Sequence, residues 1–127
     1  MDRYYLCPVI GRGTENEPFR AKVADAKVKR VSAVIKSNPD GKPAFPWTIA
    51  RVDAADFTEV EAIDGVTRLG TKTTLDSSLS ISQKDTIDTA LKEQGEKLEG
   101  DTTPRTLITR LIQKHYSHVK DVGEAFP

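Results

Sequence analysis

Three groups of residues in this chain have the types and spacing to do chemistry. The first is Gly11-Arg12-Gly13-Thr14, which follows the apolar run Tyr4-Tyr5-Leu6-Cys7-Pro8-Val9-Ile10, as a phosphate-cradling turn follows its strand. A dinucleotide site needs a third glycine and a helix opening on it, so that helix amides meet the pyrophosphate. Here Glu15-Asn16-Glu17-Pro18 comes next, placing two acids where the phosphate would sit, and no Gly-Lys-Ser or Gly-Lys-Thr occurs anywhere. The reading is that the two glycines let the chain leave a strand at positive φ.

The second group is His115 and His118, three apart on an expected helix. A zinc site asks for at least three protein ligands, and no third histidine exists. Cys7 is the single cysteine, so it forms no intrachain disulfide, and its apolar surroundings predict a small buried hydrophobe. The third group is the cluster Asp53, Asp56, Glu59 and Glu61, placed where helix capping and the helix dipole account for acids. No Gly-x-Ser-x-Gly elbow is present. The expectation is a protein without catalytic, cofactor-binding or metal-binding residues, that is, not an enzyme.

The elements that would position these groups follow from periodicity. Residues 3–10 read as a strand, with Pro8 placing it at an edge or breaking it. Arg30–Ser37 and Trp47–Asp53 read as two strands of an antiparallel hairpin around Asn38-Pro39-Asp40-Gly41-Lys42-Pro43, with the first strand paired to them. Asp56 with Glu59 resembles a capping box for a short helix that Gly65 ends. Gly65–Ser80 is polar and reads as a linker.

Beyond it the period changes to that of helices. Ser82 with Asp85 reads as a cap, Ile87, Ala90 and Leu91 as a buried stripe, and Gly95 as the stop. Thr103-Pro104 opens a second helix whose apolar stripe is Leu107, Ile108, Leu111, Ile112, His115 and Val119. The predicted fold class is α+β: a β-rich lobe with hairpin and short helix over 1–65, a linker over 66–80, and a two-helix lobe over 81–127.

The chain of 127 residues has 19 Lys and Arg against 19 Asp and Glu, so its formal net charge is zero. The positive excess lies in the first 53 residues, mostly in Arg20, Lys22, Lys27, Lys29 and Arg30. A patch of this size is far from that of a basic nucleic-acid-binding domain. No apolar run approaches the ~20 residues that span a bilayer, and the N-terminus lacks a signal-peptide core. No membrane is expected as a partner.

Two family resemblances add to this reading. Residues 91–112, "LKEQGEKLEGDTTPRTLITRLI", resemble the helix–extension–helix of SAP-type modules through Leu91, Lys92, Gly95, Gly100, Leu107, Ile108, Arg110 and Leu111. That family often binds DNA with basic residues near the start of its second helix. The resemblance therefore implies Arg105, Arg110 and Lys114 as nucleic-acid contacts, although Glu96, Glu99 and Asp101 surround them with negative charge. The general layout, from "YYLCPVIGRGTENEPFR" through "NPDGKP" and the tryptophan to "EAFP", resembles small uncharacterised proteins of tailed phages and prophages. It implies a virion-associated structural or assembly subunit that binds other protein subunits, with the cytoplasm as the alternative location. Tyr4, Tyr5, Phe19, Phe45 and Trp47 are the candidate partner-binding residues, expected to be left exposed.

Overall fold

A computed structural model describes residues 2–25, 31–33, 46–75, 78–93, 95–98, 100, 102–113 and 120–125. The fold is α+β. Strand β1 (Arg3–Ile10) is its axis. It pairs antiparallel with β4 (Trp47–Val52) along six residues, Arg3 opposite Val52 through Pro8 opposite Trp47. On its other edge Tyr4–Leu6 pair with β5 (Thr67–Gly70), and Val9 and Ile10 pair with β2 (Arg20–Ala21). Strand β3 (Val31–Ala33) adds to β4 in antiparallel register, Val31 opposite Val52 and Ala33 opposite Ala50. The expected hairpin is thus present, while its loop lies outside the described residues.

Alternation along these strands explains why β1 reads as a continuous apolar run. Side chains of successive residues point to opposite faces, and here both faces are covered. Tyr4, Leu6, Ile49 and Leu69 face a core completed by α2 (Ile81–Glu93), α3 (Pro104–Gln113) and α4 (Val122–Ala125). Tyr5, Cys7, Ala50 and Val52 face a second core with Val23, from a 3₁₀ turn at Lys22–Asp25, and Val60, from α1 (Phe57–Glu61). Phe57, Ile63 and Val66 pack around that second core. Leu107, Ile108, Leu111 and Ile112 are all buried on the first, as the stripe in the sequence requires.

Several expectations are corrected. Pro8 does not put β1 at an edge, because the strand lies inside the sheet. Val9 N–H donates to Pro46 O at 2.9 Å, on the β4 side. The Pro8 nitrogen therefore faces the opposite edge, where pairing to β5 ends at Leu6 and pairing to β2 begins at Val9. The missing donor falls in a gap between ladders.

Residues 66–80 are not simply a linker. Thr67–Gly70 form β5, and Leu69 and Leu75 are buried in the same core as the helices, so sheet and helix pair share one interior. The cap of α2 lies two residues before the expected Ser82. Ser80 Oγ accepts from Gln83 N–H at 3.1 Å, and Gln83 Oε1 accepts from Ser80 N–H at 2.9 Å, a reciprocal capping box.

Asp56 makes no side-chain cap either; Asp53 does, accepting from Ala55 N–H at 3.2 Å. Two predicted ends hold. Gly95, at φ +86°, closes α2 with its N–H on Lys92 O and Glu96 N–H on Leu91 O, a Schellman turn. Thr103 Oγ1 accepts from Thr106 N–H ahead of Pro104 at 3.2 Å.

Candidate partner-binding face

Trp47 is the first residue of β4, and α2 crosses the sheet beside it. The start of α2 is fixed in place by Gln83. Besides its role in the capping box, its side-chain amide donates to Thr67 Oγ1 on β5 at 2.6 Å. With α2 so anchored, Ile87 and Leu91 face the core, and Asp85, Thr86, Thr89 and Glu93 lie on the side towards Trp47.

Between strand and helix lies a shallow hollow of about 470 Å³. Pro46, Trp47 and Ala90 give it an apolar floor, Thr86 and Thr89 line it, and among the described residues Asp85 and Glu93 are its charged lining. A narrower notch of about 80 Å³ adjoins it, sharing Trp47 and Thr86 and reaching Leu6, Gly65 and Ile87. One turn of helix before Asp85 stands Ile81. It is 80 % exposed and is the one large hydrophobic residue left out in solvent among the described residues.

The five aromatic candidates therefore separate. Trp47 is half-buried at this hollow, and Phe19 is half-buried just before β2. Phe45 lies outside the described residues. Tyr4 and Tyr5 are corrected: they are 3 % and 0 % exposed. They sit in a strand flanked by two others and covered on both faces, so neither ring is available to a partner. Burial and a hydrogen bond from its hydroxyl to Glu61 Oε1 (2.9 Å) push the Tyr5 phenol up to about 12.

Sequence alone missed Ile81, Asp85 and Glu93. A signal was there for the first: at ~100° per residue, Ile81 lies about 120° around the helix from Ile87, outside the buried stripe.

The basic candidates have other duties. Arg105 donates from Nε and one terminal nitrogen to the two carboxylate oxygens of Asp121, at 2.9 and 2.6 Å. Its other terminal nitrogen reaches Lys72 O. It ties α3 to the approach to α4 and to the turn after β5. Arg110 is exposed and donates to Gln113 Oε1 at 3.3 Å. Arg105 and Arg110 border a groove of about 300 Å³ that also holds Lys120 and Asp121. Lys114, His115 and His118 lie outside the described residues.

The glycine turn is spent on itself. Gly11 and Gly13 have φ of +109° and +74°. Arg12 and Thr14 N–H both donate to Glu17 O, at 3.1 and 3.2 Å. The next regular element is β2 rather than a helix, so no helix amides are presented there. Cys7 is fully buried, and burial pushes its thiol up to about 12, far from a ready thiolate. Among the described residues no group of three or more metal-ligating side chains occurs. Nor is any helix there long and apolar enough to cross a membrane.

No protein-family model, curated protein or solved structure matches this chain. The class the geometry defines is therefore one of architecture: an antiparallel sheet with helices on both faces and an apolar, acid-rimmed hollow at one strand's start.

Proposed function

We propose that this chain is a non-enzymatic assembly subunit that docks other protein subunits, copies of itself included, on the Trp47–α2 face. The observation that carries the reading is the conjunction of Trp47 with Ile81. A half-buried tryptophan beside an open hollow, with an isoleucine standing in water one turn before Asp85 on the helix that lines it, has the apolar make-up of an interface patch. Following the resemblance to tailed-phage proteins, the assembly is a virion, and the chain's location is that particle.

The alternative, a nucleic-acid adaptor using the C-terminal helix pair, draws less support. Arg105, its leading contact, already holds Asp121 through Nε and one terminal nitrogen, and Lys72 O through the other. Removing a charge from that pairing to serve a phosphate would leave the carboxylate uncompensated.

The test is sedimentation over rising concentration for the unaltered chain, Trp47→Ala and Ile81→Ser. Ile81 is exposed, so its replacement leaves the fold intact. The unaltered chain should associate and both variants should remain monomeric. A chain that stays monomeric throughout, or variants that associate equally well, would overturn the proposal.

A further inference from the structure

The residues of α2 beside Trp47 fall into rows, because residues four apart stack on one side of a helix. Asp85, Thr89 and Glu93 make the outer row, Thr86 and Ala90 the next, and Ile87 and Leu91 the buried third. The hollow lies over the middle row, with the outer row as its bank and Trp47 closing it on the strand side. At ~1.5 Å of rise per residue, Asp85 and Glu93 stand about 12 Å apart along that bank. Both are exposed. Among the described residues neither has an ion pair, whereas Asp88, outside the hollow, is held by Lys92 at 3.1 Å.

Two carboxylates on one bank and a tryptophan on the other recognise cations, the acids by charge and the ring by its π-face. Four residues of extended chain advance ~13 Å and return to the same face, which matches the ~12 Å between the acids. The adjoining notch, about 80 Å³, is well under the ~150 Å³ that accommodates a benzene ring. It admits one aliphatic side chain and excludes an aromatic one. Resting on the docking face proposed above, we infer that its occupant is a basic, extended segment of the docking subunit. That segment carries Lys or Arg at positions i and i+4 and an aliphatic residue at i+2. The two cations meet Asp85 and Glu93, and the aliphatic side chain enters the notch beside Trp47. The face thus selects its partner by charge and by size, rejecting acidic segments and aromatic ones.

The probe is the end-capped peptide Lys-Ser-Val-Ser-Lys, titrated into the full chain while tryptophan emission is followed. Trp47 is the chain's only tryptophan, so the signal comes from this face. The emission should shift saturably, and binding should weaken as salt rises, because exposed charges are screened. Asp85→Asn/Glu93→Gln should weaken binding about tenfold or more, as loss of close interfacial charge pairs does. Both positions are exposed, so circular dichroism should show an unchanged fold. Glu-Ser-Val-Ser-Glu and Lys-Ser-Phe-Ser-Lys should each bind about tenfold or more weakly than the probe. Excess probe should also lower the particle mass in sedimentation, since it takes the place of the docking subunit.

Equal binding of the acidic and basic peptides, or binding unchanged by Asp85→Asn/Glu93→Gln, would overturn the occupant. If Ile81→Ser abolishes association yet the basic peptide neither shifts the emission nor lowers the mass, the face stands and this occupant is wrong. If the unaltered chain does not associate, or does so independently of Ile81, both the occupant and the face fall.

Discussion

Arg105 and Asp121 meet fork to fork, with two hydrogen bonds of 2.9 and 2.6 Å joining α3 to the residue that precedes α4. Such bidentate pairs are the strong form of ion pair, since geometry and charge act together. Both side chains keep about a third of their surface in water, so screening limits the gain. Arg105→Ala should cost about 1–3 kcal/mol, because it also strips the donor from Lys72 O. A double-mutant cycle with Asp121→Ala should give a coupling of about 1 kcal/mol. A coupling near zero in denaturant unfolding would mean the pair is incidental.

Leu111 is buried where helices and sheet meet, whereas Arg110 beside it is exposed. Leu111→Ala should cost about 2–5 kcal/mol through lost burial and the cavity left behind. Arg110→Ala should stay within about 0.5 kcal/mol. Equal effects in urea titrations would contradict the packing of α3.

The helix pair was the most legible part of the fold because an amphipathic stripe reports its own partner. Leu107, Ile108, Leu111 and Ile112 can only face inward together. Strand β5 was not legible for the opposite reason. Thr67-Arg68-Leu69-Gly70 has one strongly apolar residue, and its strand character comes from the ladder offered by Tyr4–Leu6. Tyr4 and Tyr5 misled because a paired tyrosine resembles an interface signature, yet consecutive strand residues face opposite sides, and both sides turned out to be covered. The α2 cap slipped by two residues because Ser80/Gln83 and Ser82/Asp85 satisfy the same spacing. Trp47 could be singled out by type, but its hollow depends on where α2 crosses, a tertiary fact.

Gly11 and Gly95 share positive φ but not surroundings. A Cβ on Gly11 would lie 2.3 Å from Pro18 O, a backbone atom that cannot step aside, whereas one on Gly95 meets nothing within 4 Å. Gly95→Ala should cost about 1–2 kcal/mol, the cost of the left-handed conformation. Gly11→Ala should cost clearly more. Matching melting temperatures for the two variants would refute the tight turn.

Alkaline pH should unfold the protein through Cys7 and Tyr5. Burial raises both acids from ordinary values of 9.0 and 10.0 to about 12. The folded state thus holds protons that the unfolded state releases first, so their stabilisation is complete below pH 9. It declines as pH climbs from 9.0 towards about 12. Chemical-denaturation midpoints should fall across that window, and a thiol reagent should reach Cys7 only upon unfolding. Rapid labelling at neutral pH under native conditions would show that the second core is open.

Trp47 is the only tryptophan in the chain, so its fluorescence reports on the proposed docking face alone. The most direct test follows acrylamide quenching of that emission while sedimentation gives the particle mass, over the same concentration series. If subunits dock on the Trp47–α2 face, quenching should fall in step with rising mass, and Ile81→Ser should hold both at their monomer values. Mass that rises while Trp47 stays as accessible as in the monomer would place assembly on another surface. A mass that never rises would contradict the assembly reading itself.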